Sequence, residues 1–322
     1  KFQGVMVIMF LIMLSIFITV LPVFLIIGTG YIVMWRKLMS ESSIDALALF
    51  AQKYAIPCLL FLAVANLDLK EYFNIPLFAS YYIPATFIFI LGCATGYLFF
   101  KRAADEAVSV GFTTLFSNMI LLGLTIMERA YGIEALSTNY ALASVHVLFC
   151  YIVGITCMET VHANGNNVNE IIRSVIKAIF KNTLALGLIL GFAFNFSGFA
   201  LPEAFDVTLQ MMARSGLPIA LFALGGVLYR YEIKSNLPEV TAVAIIKLFI
   251  FPVLVYVMGT YVFDLETGVR NSAVLIAAMP PGINTYIFAS MYNRAQQTSA
   301  TSIVVCTGLS VFTITAWLTF LG

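Results

Sequence analysis

An internal repeat at an offset of 161 residues constrains the fold of this chain more than any other feature. The matches pair Gly30-Tyr31 with Gly191-Phe192, Asp45 with Asp206, Lys53 with Arg214, Pro57 with Pro218, and Tyr131-Gly132 with Tyr292-Asn293. They fall on apolar segments of membrane length, of which each half holds five. Because five is an odd number, the second copy must enter the membrane from the opposite side. The pattern therefore predicts an inverted repeat, an architecture common among secondary transporters.

Composition assigns the chain to a lipid bilayer. Of its 322 residues, 61% are hydrophobic and only 10% are charged, whereas soluble domains carry about a quarter of charged residues. A transmembrane helix needs about 20 predominantly apolar residues. Ten stretches satisfy this requirement: 8–35, 44–66, 74–100, 107–127, 137–158, 182–200, 204–229, 238–263, 271–292 and 298–321. We therefore predict an all-α membrane protein with ten transmembrane helices, arranged as two inverted five-helix repeats.

The longest hydrophilic stretch joins the two halves, and we predict that it forms an amphipathic helix on the inner membrane interface. Its apolar stripe and the basic residues beside it are Ile171, Ile172, Val175, Ile176, Ile179, Arg173, Lys177 and Lys181. The predicted domains are thus residues 1–160 as the first repeat, 161–181 as the inner linker, and 182–322 as the second repeat.

The distribution of basic residues predicts the orientation. Loops after the odd-numbered segments carry ten Lys and Arg residues, whereas the opposite loops carry four, namely Lys1, Lys70, Arg129 and Arg270. Under the positive-inside rule both termini lie outside, in a multi-pass protein of the cell (inner) membrane. The net charge of +1 carries no information about nucleic acid, and no basic run suggests a nucleic-acid partner. No metal-type spacing and no hydrolase motif occurs, so we expect neither a metal, a cofactor nor an enzymatic activity.

The ninth apolar segment contains a polar break, Pro280-Pro281-Gly282-Ile283-Asn284-Thr285-Tyr286. Prolines remove amide donors, and irregular backbone at membrane depth is tolerated only where protein or a watery cavity satisfies it. The free helix ends and polar side chains could then bind a ligand, although a simple proline kink is the alternative. The candidate substrate-binding residues of this segment are Pro280, Pro281, Gly282, Asn284, Thr285 and Tyr286.

The fourth apolar segment carries the corresponding feature in the first half, since Ser117-Asn118 aligns with Pro280-Pro281 at an offset of 163 residues. An asparagine at mid-span is costly unless it meets a partner or a polar cavity. A hydrogen bond from Asn118 to a neighbouring helix is the alternative. Interrupted segments at corresponding positions of two halves indicate the binding site of a transporter, so Ser117 and Asn118 are further candidates.

Basic residues within the spans favour an anionic ligand. Lys53, Arg214 and Lys247 lie inside apolar segments, whereas all sixteen acidic residues lie in loops or near span ends. We assign these three basic residues electrostatic or gating roles, although Lys53 and Arg214 could also snorkel to the interface. His146 is the mid-span group that titrates near neutrality. It is a candidate carrier of a coupling proton, with a packing role as the alternative.

The two polar segments resemble signatures of the auxin efflux carrier family, which includes the plant PIN exporters and bacterial malonate-type carriers of organic acids. The first resemblance runs from Pro280 to Ala289 and continues at Tyr292. The second comprises Ser117-Asn118, Gly123 and Tyr131-Gly132, and Lys247-Leu248 with Pro252 resembles the eighth span of bacterial members. The chain departs from the family at two positions. Thr125 stands where the family usually has a proline after the glycine of span four, and Ser117 stands where plant members have a proline directly before the asparagine.

The resemblance implies that spans four and nine are broken and cross at the substrate site, and that the substrate is an organic carboxylate. We therefore predict a carrier of a small organic anion that works by alternating access, with H⁺ or Na⁺ as the coupling ion. The alternatives are a sodium-coupled symporter of the bile-acid-carrier type and a receptor that binds without translocation. The sequence leaves open the identity of the acid, the direction of transport and whether the carrier is a homodimer.

Overall fold

The computed structural model describes residues 2–162, 172–173, 176–177, 180, 182–231 and 236–322. Within these ranges every regular element is a helix, and the extended backbone is confined to one isolated bridge. Most of the predicted linker 161–181, including Ile171, Val175 and Ile179, lies outside the described residues. Arg173 and Lys177, which are described, are helical and exposed.

The helices follow the predicted apolar segments. They are α1 Phe2–Trp35, α2 Glu41–Ala65, α3 Leu69–Tyr72, α4 Ile75–Phe99, α5 Ala104–Leu115, α6 119–131, α7 Ile133–His162, α8 Thr183–Ser197, α9 Glu203–Arg230, α10 Leu237–Val262, α11 Thr267–Ala277, α12 Asn284–Tyr292 and α13 Gln296–Leu321. The predicted segments 107–127 and 271–292 are each divided, into α5 with α6 and α11 with α12.

Seven of the described helices are long and apolar enough to cross a membrane: α1, α2, α4, α7, α9, α10 and α13. Helix α8 is equally apolar in character but only 15 residues long. The protein is thus an all-helical, multi-pass membrane protein, as predicted. Helices are favoured because lipid offers no hydrogen-bond partners, so each backbone group must be satisfied within its own segment.

Ion pairs gather one set of helix ends into a common face, here called the first face. Arg230 at the end of α9 pairs with Asp45 in α2 at 2.6 Å, and Arg102 before α5 pairs with Glu239 in α10 at 2.6 Å. A third cluster, joining the start of α5, the end of α7 and the loop after α12, comprises Asp105, His162 and Arg294.

The opposite ends of the helices form the second face, where asparagine side chains donate hydrogen bonds to backbone carbonyls. The amide nitrogen of Asn195, near the end of α8, donates to the carbonyl of Leu67, just after α2, at 2.9 Å. The amide of Asn271, near the start of α11, donates to the carbonyl of Leu321 at the end of α13, at 3.1 Å. The described helices therefore run between two faces, with the C-terminus at the second.

Glycines allow two pairs of helices to pack closely, and the two contacts obey the sequence repeat. A Cβ on Gly30 of α1 would collide with the carbonyl oxygen of Phe222 in α9, and a Cβ on Gly191 of α8 would lie 2.9 Å from the carbonyl oxygen of Phe61 in α2. Both members of the second pair are related to those of the first by the offset of 161 residues. Small residues let membrane helices approach each other where lipid supplies no hydrophobic driving force.

Gly30→Ala is expected to lower the midpoint of thermal unfolding by roughly 5 °C, because the added methyl group forces α1 away from α9. Gly28→Ala is the matched control on the same helix, since nothing lies within 4 Å of a Cβ at that position. Scanning fluorimetry of the purified variants in detergent measures both midpoints. A similar midpoint for the two variants would contradict the close α1–α9 contact.

Candidate functional site

Two helices are interrupted at the centre of the molecule. The first interruption separates α5, which ends at Leu115, from α6. The second separates α11, which ends at Ala277, from α12, which begins at Asn284. Proline nitrogens at 280 and 281 cannot donate a hydrogen bond, so no helix can continue through the second interruption without losing bonds. Each interruption leaves one helix C-terminus and one helix N-terminus.

The two interrupted segments cross and pair through their main chains. The backbone nitrogen of Asn118 donates to the carbonyl of Pro280 at 2.8 Å, and that of Gly282 donates to the carbonyl of Phe116 at 3.2 Å. This antiparallel bridge is centred on Ser117 and Pro281. It satisfies backbone groups that would otherwise be unpaired in the interior. The two interruptions are therefore hydrogen-bonded to each other and are not two independent kinks.

Ser117 joins the crossing to three neighbouring helices. Lys247 of α10 donates to the Ser117 hydroxyl at 2.5 Å, and the hydroxyl of Tyr81 of α4 lies 3.2 Å from the same oxygen. The backbone nitrogen of Ser117 donates to Nε2 of His146 in α7 at 3.2 Å. All four side chains are buried, with exposed fractions of at most 1%. These contacts thus tie α4, α7 and α10 to the crossing.

Lys247 places a buried amine behind the crossing. Its ammonium also approaches the carbonyl oxygen of Leu115 at 3.4 Å, and it lies 4.6 Å from the ring centroid of Phe251. None of the ion pairs among the described residues includes Lys247. A buried ammonium without a carboxylate partner is costly. A bound anion would offset this cost and stabilise the protonated form of the amine.

A cavity of about 350 Å³ adjoins the crossing. It extends towards the first face, where Asn182 at the start of α8 and Met291 near the end of α12 form part of its wall. Six of the residues singled out from the sequence line it: Lys53, Ser117, Asn118, His146, Gly282 and Asn284. Its volume is that of a pocket for a small ligand.

The remaining sequence candidates lie around this cavity or away from it. Pro280 and Pro281 form the bridge behind the wall, and the Thr285 hydroxyl caps the carbonyl of Gly282 at 2.9 Å. Tyr286 packs against the ring of Tyr231. Lys247 reaches the cavity only through Ser117. Arg214 lines a different cavity, on the other side of the crossing.

Two contributors to the site are tyrosines that sequence reasoning did not select. Tyr81 contacts Ser117, and the hydroxyl of Tyr151 lies 3.4 Å from Oδ1 of Asn284 and lines the cavity. Both lie in apolar runs where an aromatic residue is indistinguishable from a packing residue. The signal that could have found them is the polar hydroxyl of a tyrosine at mid-span, which requires a hydrogen-bond partner.

Three of the five π-helical turns in the described part of the chain lie at the site, whereas those at Thr95–Phe99 and Met258–Val262 lie away from it. Lys53 lies in a π-helical turn at Ala51–Ala55, Lys247 in another at Ile246–Ile250, and Asn118 immediately precedes a third at Met119–Leu124. Such turns widen the helix locally and leave a carbonyl without its usual partner, and they occur often at functional sites. The positions of these turns add to the argument that the crossing and its cavity are functional.

Comparison with known proteins identifies the family. Residues 15–318 match the family described as "Membrane transport protein". The "Uncharacterized transporter YfdV" of Escherichia coli K12 is 25% identical over 314 residues, covering 95% of this chain and 98% of that protein. The "Putative malonate transporter" of Rhizobium meliloti is 24% identical, covering 93% of each chain. "Auxin efflux carrier component 8" of Arabidopsis thaliana is 22% identical, covering 83% of this chain and 86% of that protein. The chain therefore belongs to the membrane transport protein family, together with the auxin efflux carriers that its fourth and ninth segments resemble, and is a multi-pass membrane transporter.

Proposed function

We propose that this transporter is a secondary active carrier of a small organic carboxylate. The observation that carries the proposal is the cavity at the crossing, which is lined by Asn118 and Asn284, each beside the N-terminus of a second half-helix. Helix N-termini favour anions because their amides are unpaired and the helix dipole is positive there. The amine of Lys247 lies directly behind Ser117 and in its protonated form would add to this preference.

The architecture that we propose is ten transmembrane helices in two inverted repeats, residues 1–160 and 182–322, joined by the linker 161–181. The paired glycine contacts of α1 with α9 and of α8 with α2 support it, because they are related by the same offset as the sequence repeat. Ser117, Asn118, Gly282 and Asn284 would bind the substrate. Pro280, Pro281, Thr285 and Tyr286 would hold the broken segment in shape.

Alternating access would expose this site first on one face and then on the other. The first face carries Arg36, Lys37, Lys101, Arg102, Arg230 and Arg294 at or next to its helix ends. Under the positive-inside rule we assign it to the cytoplasm and both termini to the outside of the cell membrane. The cavity beside the crossing then extends towards the cytoplasm.

Uptake of radiolabelled malonate into proteoliposomes tests the proposed function, with malonate chosen because a relative bears its name. We expect saturable uptake that unlabelled malonate inhibits more strongly than uncharged or cationic compounds of similar size. Saturable malonate binding without flux would favour a receptor, and inhibition by cations alone would contradict an anion carrier.

The same proteoliposomes distinguish the coupling ions, and we propose H⁺ rather than Na⁺. The ammonium of Lys247 already occupies the Leu115 carbonyl and the Ser117 hydroxyl, which are oxygen ligands that a sodium ion at the crossing would need. His146 accepts a hydrogen bond from the Ser117 amide through Nε2, so a proton bound at Nε2 would break that bond and loosen the crossing.

His146→Gln is expected to uncouple uptake from a proton gradient while sparing malonate exchange, because glutamine still accepts a hydrogen bond but does not titrate. The groups that also face His146 are Tyr81, Tyr82, Cys150 and Lys247. The measurement is uptake with and without an imposed pH gradient, and with a sodium gradient as the control. Full stimulation of the variant by the pH gradient would remove His146 from the coupling step.

A further inference from the structure

A second cavity lies on the other side of the crossing. It measures about 550 Å³, and its wall includes Leu62, Leu124, Glu128 and Arg214. Leu62 lies close to the end of α2, and Glu128 lies close to the end of α6, so this cavity extends towards the second face. The two cavities thus flank the crossing, with the first reaching the face of Asn182 and Met291.

Each of the two cavities is lined by one Lys or Arg residue, and the sequence repeat relates these two residues to each other. Lys53 lines the first cavity and Arg214 lines the second, and they are separated by the repeat offset of 161 residues. Because an inverted repeat exchanges the two faces, one ancestral position places a cation on both sides of the crossing.

Neither cation is neutralised by a direct partner. The hydrogen bonds and ion pairs of the described residues include neither Lys53 nor Arg214, and both side chains are exposed. A free charge in the middle of an apolar helix is tolerated where it faces a water-filled cavity. No acidic residue lines the first cavity, whereas Glu128 lines the second.

We propose that Lys53 and Arg214 are a symmetry-related pair of anion-recruiting residues, each of which attracts the carboxylate substrate into the cavity of its own face. The proposal rests on the proposed anion transport and adds the side on which each residue acts. Charges that line a narrow cavity with apolar walls concentrate ions of opposite sign. Each cation should therefore lower the KM for substrate presented at one face and leave the other unaffected.

Thiol reactivity tests the electrostatic part without any substrate. Leu184→Cys reports on the first cavity and Leu62→Cys on the second, in protein whose partly buried Cys58, Cys93 and Cys157 are replaced by alanine. The readout is the ratio of modification rates by anionic and cationic methanethiosulfonate reagents in detergent.

We expect Lys53→Gln to lower this ratio at least about threefold in the first cavity and to leave the ratio in the second cavity unchanged. Arg214→Gln should lower the ratio in the second cavity by a similar factor and leave the ratio in the first cavity unchanged. Glu128→Gln is the control of opposite sign, since removal of its negative charge should raise the ratio in the second cavity alone. The proposal is overturned if neither Lys53→Gln nor Arg214→Gln changes the ratio of modification rates. It is also overturned if either variant changes the ratio equally in both cavities.

Malonate KM values measured from each face test the consequence for transport. Right-side-out and inverted membrane vesicles present malonate to opposite faces. Lys53→Gln should raise the KM at least about fivefold in one vesicle orientation only, and Arg214→Gln in the other only. An equal rise in both orientations would overturn the assignment of sides. Absence of malonate flux in the unmodified protein would instead contradict the proposed substrate. The ratios of thiol modification rates would then still show whether Lys53 and Arg214 each attract anions into one cavity.

Discussion

Asn284→Asp is expected to lower kcat/KM for malonate uptake about 100-fold, because it exchanges an amide donor for a negative charge without changing the size of the side chain. Asn284 lies at the first position of α12 and lines the cavity at the crossing. A hydrogen bond to a charged group contributes about 1.5–3 kcal/mol, and repulsion between two carboxylates adds to the loss. The measurement is the initial rate of uptake into proteoliposomes over a range of malonate concentrations.

In the same measurement, the companion variant Asn118→Ala is expected to have a kcat/KM for malonate uptake that is lower by at least about tenfold. Its backbone nitrogen, rather than its side chain, makes the bond to Pro280, so the crossing should survive the substitution. Asn66→Ala is the matched control, because Asn66 is an exposed asparagine at the end of α2 that lines neither cavity. Unfolding midpoints within a few degrees of the unmodified protein would show that the fold is intact.

Undiminished uptake by both Asn284→Asp and Asn118→Ala would contradict the assignment of the substrate to the crossing. A loss of uptake with a large fall in the unfolding midpoint would instead show that these asparagines hold the crossing together. The two readouts together separate a binding role from a structural one.

Lys247→Met is expected to abolish most anion uptake while leaving thermal stability unchanged or higher. The ammonium is fully buried and has no carboxylate partner among the described residues. Replacement of a buried charge by an apolar side chain of similar length is often neutral or stabilising. A carboxylate bound on the far side of Ser117, about 8 Å from the ammonium, would lose about 2 kcal/mol of attraction at an effective dielectric constant of about 20, or about 30-fold in affinity.

Lys247→Arg keeps the positive charge and is expected to retain more uptake than Lys247→Met, although the larger head group disturbs the contact with Ser117. Malonate uptake and unfolding midpoints of the two variants provide the comparison. Full uptake by the methionine variant would show that the charge of Lys247 does not contribute to transport. A marked destabilisation of that variant alone would show that the lysine serves to anchor the crossing.

The fold class was accessible from sequence because membrane helices are encoded locally. Length and hydropathy alone mark the apolar segments, since lipid requires each segment to satisfy its own backbone. The breaks at Ser117-Asn118 and at Pro280-Pro281-Gly282 could also be recognised from the sequence, because consecutive prolines and polar side chains are uncommon in the middle of an apolar membrane segment. The all-helical, multi-pass fold and the family resemblance are confirmed, whereas the ten-helix inverted repeat remains our proposal.

The candidate site was only partly accessible. Asn118 and Asn284 could be selected because polar side chains at mid-span demand an explanation. Tyr81 and Tyr151 could not, because an aromatic residue in an apolar helix carries no sign of the partner that its hydroxyl finds. The contact of Lys247 with Ser117 joins residues 130 positions apart, a distance over which no local pattern gives information.

By itself, the sequence determined that this chain is a helical membrane protein with two polar interruptions, because these properties depend on composition and local pattern. Only the tertiary structure decided that the interruptions pair through their backbones, that Lys247 and His146 meet at Ser117, and that Lys53 and Arg214 line cavities on opposite sides of the crossing. Those relations depend on how distant helices pack and cross, and packing is set by the whole set of contacts rather than by any one segment.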